Sequence, residues 1–208
     1  MSAPYDIVLL PNADIAERSV RLSHDLVGEN TYFELDSAEH FPHVSLYMVQ
    51  LEQARVAEVS AYLAGLAAQT APLELTTEGY KRSSSGYFGV TYARTAALAG
   101  LQAEIIANVN PLRDGLTPLE AALQPTATGQ CKTNIDTYGY KNVGELLSPH
   151  LTLTRFVRAE AGVDPDDASL PAIDNFSGLF PELGLFEVGE HGTCVREIAR
   201  YALLAEQL

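Results

Sequence analysis

The sequence contains few cysteines and few basic residues. Of its 208 residues only Cys131 and Cys194 are cysteines, and neither belongs to a Cys-x-x-Cys pair. This number is too small for a disulfide framework, so both are expected to be free thiols. Lysine and arginine number 13 against 27 aspartates and glutamates, which gives a formal net charge of −14. This charge repels long polyanions, so no long nucleic acid is expected as a partner and a nucleotide ligand should be small.

Long hydrophobic runs and low-complexity tracts are also missing. The apolar run in "MSAPYDIVLL" follows no basic segment and stops at Pro11, which is too short for a signal or membrane helix. We therefore expect a cytoplasmic protein without a membrane partner. The composition, 47% hydrophobic and 19% charged, is that of a globular chain long enough to bury a core. A monomer made of one domain, or of two closely packed lobes, is the expectation.

Hydrophobic periodicity predicts alternating strands and helices up to residue 109. The predicted order is a strand at 5–10, a helix to about 27 that Asn12 or Asp14 can cap, a strand at 41–51 and a helix at 52–70. Two strands at 72–80 and 86–93 follow, joined as a hairpin by "KRSSS", and then a helix at 95–109 capped by Thr95.

The pattern weakens at 110–149, which we interpret as a loop-rich insertion with one short helix. A strand at 148–157, an acidic loop and two closing antiparallel strands complete the chain. The whole sequence, 1–208, is thus predicted to form one bilobal α+β domain. A duplicated unit would place two antiparallel sheets on either side of a central cleft, with the helices outside.

Two segments share a motif of proline, histidine, an apolar residue and a hydroxyl residue. They are "FPHVSLYMVQL" at 41–51 and "SPHLTLTRFV" at 148–157. Side chains at i and i+2 of a strand share a face, so His43 points with Ser45, and His150 with Thr152. Each strand is therefore expected to present one imidazole and one hydroxyl together.

The segments "HVSL" and "HLTL" resemble the paired His-x-Ser/Thr-x signatures of the two-histidine (2H) phosphoesterase superfamily. That superfamily includes bacterial 2′-5′ RNA ligase-like proteins and 2′,3′-cyclic phosphodiesterases. The resemblance extends over essentially the whole chain, including "FEVGEHG" before the last strand. It implies a bilobal fold with the motifs related by a pseudo-twofold axis. The long segment between the motifs is a departure that leaves the substrate open.

The chemistry of a phosphodiester explains why the motif occurs twice. Hydrolysis needs a base for the water proton and an acid for the leaving alkoxide, on opposite sides of phosphorus. Histidine can serve as either near neutral pH, so His43 and His150 are the candidate catalytic pair, in either order. Ser45 and Thr152 can donate to the phosphate oxygens. This scheme needs no metal and no other cofactor.

Further residues have two possible interpretations each. Tyr47 can line the cleft beside Ser45 or pack in the core. Arg155 stands where the family often has a cation, yet strand alternation turns it away from His150 unless a bulge intervenes. Tyr138, Tyr140 and Lys141 suit a nucleotide base and phosphate, or belong to an exposed loop.

Three other patterns have simpler explanations than a site. "HFPH" has zinc-like spacing but no second ligand cluster. "HGTC" offers an imidazole and a thiol, although it lies in a predicted turn. "KRSSSG" can bind phosphate or be an ordinary hairpin tip.

We therefore predict a metal-independent phosphodiesterase that acts on a small nucleotide-like 2′,3′-cyclic phosphate or 2′-linked phosphodiester. The partner would be a small nucleotide or a short oligonucleotide. The alternatives are 2′-5′ RNA ligation, which the acidic charge disfavours, and a module that binds a nucleotide without turnover. The base identity and the product isomer stay open.

Overall fold

Strands and helices follow each other in an α+β order. The structure, a computed structural model, describes residues 1–28, 30–36 and 38–204. Its strands are β1 (Ser2–Leu10), β2 (Val44–Glu52), β3 (Leu73–Leu75), β4 (Thr77–Arg82), β5 (Tyr87–Tyr92), β6 (His150–Arg155), β7 (Gly178–Phe180), β8 (Glu182–Val188) and β9 (Cys194–Ala202). Its α-helices are α1 (Ala13–Leu26), α2 (Val56–Ala68), α3 (Ala96–Val109), α4 (Pro118–Leu123) and α5 (Gly129–Tyr138).

Two antiparallel sheets contain the two motif strands. The four-stranded sheet has the order β2-β1-β8-β9, so the closing strands pair with the opening strand. The three-stranded sheet has the order β4-β5-β6 and includes the predicted hairpin. The strands β2 and β6 approach each other, which brings the two sheets together at the motifs. The predicted fold class, α+β with two antiparallel sheets, is confirmed.

Helices α1 and α3 begin at capping residues that the sequence predicts, and each packs against a strand of the other main sheet. The side chain of Asn12 accepts from the backbone N–H of Ile15, and that of Thr95 accepts from the N–H of Leu98. Helix α1 packs against β6, whereas α2 and α3 pack against strands of the four-stranded sheet. Helices α1 and α3 thus each pack against the sheet that does not contain the strand before them.

Two regions differ from the predicted elements. The predicted strand at 72–80 is divided into β3 and β4, because β3 leaves the hairpin and pairs with β7 in a separate two-stranded sheet. The segment 110–149 contains α4 and α5, where one short helix was expected. Helix α5 ends at Gly139, whose φ of 67° lies in the left-handed region that favours glycine.

Both motif strands contain the same irregularity at the same place. In β2 the register shifts so that Ser45 pairs with Val8 and Tyr47 with Ile7, which leaves Leu46 without a partner residue. In β6 Thr152 pairs with Gly89 and Thr154 with Phe88, which skips Leu153. A bulge of this kind ends the simple alternation of faces. Accordingly, residues 43–48 and 150–155 have the same burial pattern, with two consecutive buried residues after the hydroxyl residue.

The helices were also compared in length and polarity with a membrane-spanning helix. Within 1–28, 30–36 and 38–204, every helix is too short or too polar to cross a bilayer.

Candidate active site

Both motifs line one cleft between the sheets. The cleft has a volume of about 410 Å³, within the usual range for small-molecule sites. The imidazoles of His43 and His150 and the side chains of Ser45 and Thr152 all contribute to its wall. The remaining lining residues are Met48, Lys81, Ser83, Ser85, Tyr87, Phe88, Gly89, Thr91, Leu119, Glu120, Tyr140, Lys141, Asn142, Ser148, His191 and Gly192. The structure thus brings together the four residues predicted from the motifs.

The two imidazoles are held by equivalent hydrogen bonds. Nδ1 of His43 lies 2.7 Å from the carbonyl oxygen of Phe41, and Nδ1 of His150 lies 2.8 Å from that of Ser148. A carbonyl oxygen only accepts, so Nδ1 carries the proton in both rings. The neutral rings therefore have their lone pair on Nε2. Each histidine is bonded to the residue two positions earlier, as expected for a duplicated site.

Burial favours the neutral form of both histidines. It lowers the pKa of His43 to about 4; the bond to Phe41 opposes this effect, and the nearby charge of His150 adds to it. Burial also lowers the pKa of His150; the bond to Ser148 opposes it, and Lys141 and Lys81 add to it. Both imidazoles are thus available as proton acceptors at neutral pH, and an anionic phosphate would favour protonation of one of them.

The two hydroxyl groups have different surroundings. Oγ of Ser45 lies 2.6 Å from Oδ2 of the buried Asp6. The hydroxyl of Thr152 has no protein partner within the part of the chain that the structure describes. The pseudo-symmetry of the motifs is therefore broken beside the first hydroxyl.

Of the predicted aromatic and cationic residues, Tyr140 and Lys141 line the cleft. The cleft position proposed for Tyr47 is wrong. The bulge at Leu46 turns Tyr47 into the core, where its hydroxyl donates to the carbonyl of Tyr138 at 2.7 Å, and Met48 takes the cleft-facing position. Tyr138 itself lies at the end of α5 and is not a lining residue.

A bulge also decides the position of Arg155. Because Leu153 is skipped, Arg155 returns towards the face of His150, which alternation alone excludes. Its guanidinium carbon lies 5.0 Å from the ring centre of Tyr32 and 4.8 Å from that of Tyr87. Its Nη1 donates to Nδ1 of His191 at 2.7 Å. Arg155 is thus not itself a lining residue, but it contacts Tyr87 and holds the imidazole of His191, which both line the cleft.

Two other sequence patterns now have a definite place. Lys81, Ser83 and Ser85 of "KRSSSG" line the cleft. His191 of "HGTC" has a φ of 61° and is bonded to Arg155, while Cys194 is buried at the start of β9. They do not form the nucleophile pair considered above.

Sequence reasoning missed two buried carboxyl groups near the motifs. Asp6 is completely buried in β1, and Glu120 of α4 is 3% exposed and lines the cleft. Burial raises the pKa of Glu120, against the opposing effect of Lys141. The signal for Asp6 is visible in "YDIVLL", because a charged residue within an apolar strand is rarely buried without a purpose.

Asp6, His43 and Cys194 form a carboxylate–imidazole–thiol cluster, with one polar atom from each within 4.8 Å of the others. Its fit to a metal ion is poor. Burial raises the pKa of the Cys194 thiol well above its usual value, and the charge of Asp6 adds to this effect. The thiol is therefore protonated near neutral pH, whereas metals bind the thiolate. His40 of "HFPH" is not part of the cluster.

Comparisons with known proteins rest on structure, since no protein-family model and no curated protein sequence matches the chain. Escherichia coli LigT complexed with 3′-AMP has a TM-score of 0.57 and 16% identity, covering 99% of this chain and 100% of LigT. A structure described as a phosphoesterase has a TM-score of 0.57 and 13% identity, with 99% and 100% covered. A protein of Thermus thermophilus has the same TM-score and identity, with 98% and 100% covered.

These similarities extend over whole chains at low sequence identity, so they concern the fold. They show that this chain has the fold of LigT and of the structure described as a phosphoesterase, and both sequence motifs meet in one cleft of that fold.

Proposed function

We propose that this chain is a metal-independent phosphodiesterase in which His43 and His150 act as general base and general acid. The substrate would be a small nucleotide-like 2′,3′-cyclic phosphate or a 2′-linked phosphodiester. The observation that carries this proposal is the pair of imidazoles in one cleft, each with Nδ1 bonded to a carbonyl and Nε2 unprotonated.

In this reaction one neutral imidazole accepts a proton from water through Nε2. The water oxygen forms a new bond to phosphorus while the bond to the ribose oxygen breaks on the opposite side. The other imidazole, protonated at Nε2, donates its proton to the leaving alkoxide. Ser45 and Thr152 donate to the non-bridging oxygens, where negative charge increases in the transition state.

The size and charge of the cleft support a small anionic ligand. A volume of about 410 Å³ suits a mononucleotide or short oligonucleotide rather than a duplex. Lys81 and Lys141 provide positive charge there in a chain of net charge −14. Solved LigT structures are described as complexes with phosphate and with 3′-AMP, which supports a nucleotide-sized ligand for this fold.

The test is turnover by purified, metal-free protein with 2′,3′-cyclic mononucleotides, cyclic dinucleotides and 2′-5′ oligoadenylates. His43→Ala and His150→Ala should each lower kcat by roughly 10²-fold to 10⁴-fold on the best substrate. The double variant should lose much less than the product of the two, because both groups act in one step.

The matched control is His24→Ala, which removes a histidine that is 72% exposed on α1. It should have wild-type activity. A correctly folded single variant in the cleft with near wild-type turnover would exclude acid–base catalysis by the pair. Tight nucleotide binding without turnover would then favour the binding module, and joining of oligonucleotide ends would favour ligation.

A further inference from the structure

Asp6 is a carboxyl group in an environment that does not suit a charge. It belongs to β1, an interior strand of the four-stranded sheet, and is 0% exposed. Its sequence neighbours Tyr5 and Ile7 are equally buried. A carboxylate in such a place needs a cation or several hydrogen bonds to offset the loss of hydration.

Asp6 has neither. Its Oδ2 lies 2.6 Å from Oγ of Ser45, and its Oδ1 is buried with no hydrogen-bond partner in the described residues. Nε2 of His43 is 3.8 Å from Oδ2, beyond hydrogen-bond distance. A single hydrogen bond from a neutral hydroxyl does not stabilise a buried anion, so a protonated carboxyl fits this site better. In agreement, burial raises the pKa of Asp6 to about 7, although the bond to Ser45 opposes the rise.

The protonation of Asp6 decides what the hydroxyl of Ser45 can do. A serine hydroxyl has one proton to donate. If Asp6 is ionised, that proton is bound to Oδ2 and is not available to a phosphate in the cleft. If Asp6 is protonated, it donates to Oγ of Ser45. The hydroxyl proton of Ser45 stays on Oγ and can then be donated to a phosphate in the cleft.

We propose that Asp6 is a positioning residue that holds a proton and donates it to Oγ of Ser45, which leaves the hydroxyl proton of Ser45 free to bind the substrate phosphate. This inference rests on the proposed function for its phosphate ligand. It adds a residue outside both motifs, and it makes phosphate binding by the first motif depend on a buried proton.

The other titratable groups around Asp6 stay neutral in the relevant pH range. Burial and the charge of Asp6 raise the pKa of Tyr140 on the cleft wall and of Cys194 at the start of β9. Burial lowers the pKa of His43 to about 4. Among Asp6 and these three neighbouring groups, Asp6 is thus the one that changes charge near pH 7.

The second motif lacks this arrangement, which provides an internal control. Val8 pairs with Ser45 as Gly89 pairs with Thr152, so Tyr87 in β5 occupies the position that Asp6 has in β1. Thr152 can therefore donate to phosphate at any pH, and only the first hydroxyl is controlled by a carboxyl group.

The first test is the pH dependence of kcat/KM between about pH 5 and pH 9. Because Asp6 must be protonated in addition to the acid histidine, the wild-type alkaline limb should steepen above about pH 7, from 10-fold towards 100-fold per pH unit. Asp6→Asn, whose Nδ2 can donate to Oγ at every pH, should lose the steepening. Ser45→Ala should lose it as well, whereas Thr152→Ala should keep it at lower activity. Equal steepening in wild type and Asp6→Asn would overturn the proposal.

The second test does not require turnover. Binding of 3′-AMP at pH 8 is measured by calorimetry in two buffers of different ionisation enthalpy. Wild type should take up close to one proton more than Asp6→Asn, because phosphate favours protonated Asp6. Equal uptake would contradict the proposal. If Asp6→Asn does not fold, the carboxyl carbon of Asp6 in wild type is titrated by NMR; an ordinary carboxyl titration near pH 4 would likewise overturn it.

The two proposals can fail separately. A wild type without turnover on any phosphodiester refutes the proposed function, while the proton uptake and the carboxyl titration still decide the role of Asp6.

Discussion

The stability of Asp6→Asn provides a quantitative check on the buried carboxyl group. The substitution keeps the size of the side chain and removes its titration. Burial raises the pKa of Asp6 from 3.8 to about 7. A pKa difference of one corresponds to about 1.4 kcal/mol, so this rise corresponds to about 4 kcal/mol of unfolding free energy.

The sign follows from the folded state holding the proton more tightly than the unfolded chain. The contribution of Asp6 to stability is therefore complete below pH 3.8 and is lost as the pH rises to about 7. Asparagine has no such dependence. The unfolding free energy of Asp6→Asn minus that of wild type should thus increase by about 4 kcal/mol from about pH 4 to about pH 8.

The assay is urea unfolding at several pH values with linear extrapolation. Both proteins keep the two cleft histidines, so the difference between the curves isolates residue 6. Asp25→Asn is the matched control, since Asp25 is exposed on α1. Its curve should follow the wild-type curve. Parallel curves for wild type and Asp6→Asn would mean that Asp6 titrates as an ordinary carboxyl group, which would refute the reasoning.

Activity should survive exhaustive EDTA treatment; loss with recovery on added zinc would return attention to the carboxylate–imidazole–thiol cluster. Gly89→Ala should destabilise by more than about 2 kcal/mol in thermal unfolding, because its Cβ would overlap the backbone carbonyl oxygen of Leu151, and an unchanged midpoint would contradict this. Tyr47→Phe should cost about 1–3 kcal/mol in urea unfolding through its lost hydrogen bonds but leave kcat within about 2-fold, and a large kcat loss would return Tyr47 to the cleft.

The site was predictable to the extent that it depends on local spacing. His43 with Ser45 and His150 with Thr152 are two residues apart in apolar strand sequence, so their shared faces follow from strand geometry alone. Tyr47 was misplaced because the bulge at Leu46 depends on how β2 pairs with β1, which the sequence of one strand does not contain.

The elements were predictable where their apolar residues have a clear period. Helices α1 and α3 combine that period with the caps Asn12 and Thr95, and both were found close to the predicted bounds. Helix α5, "GQCKTNIDTY", is mostly polar, so its formation depends on the surrounding structure. The separation of β3 from β4 depends on pairing with the distant β7, which local patterns do not indicate.

The twin bulges also determine how the two walls of the cleft differ. They return the fifth residue after each motif histidine to the face of that histidine: Met48 in β2 lines the cleft, and Arg155 in β6 is bonded to the cleft-lining His191. The backbone is thus duplicated, but a thioether stands where its counterpart is a guanidinium. A ligand with an aromatic base at one end and an anionic group at the other meets unequal surroundings in its two orientations. The two histidines are thus arranged nearly symmetrically, but the residues around them differ enough to favour one orientation of the ligand.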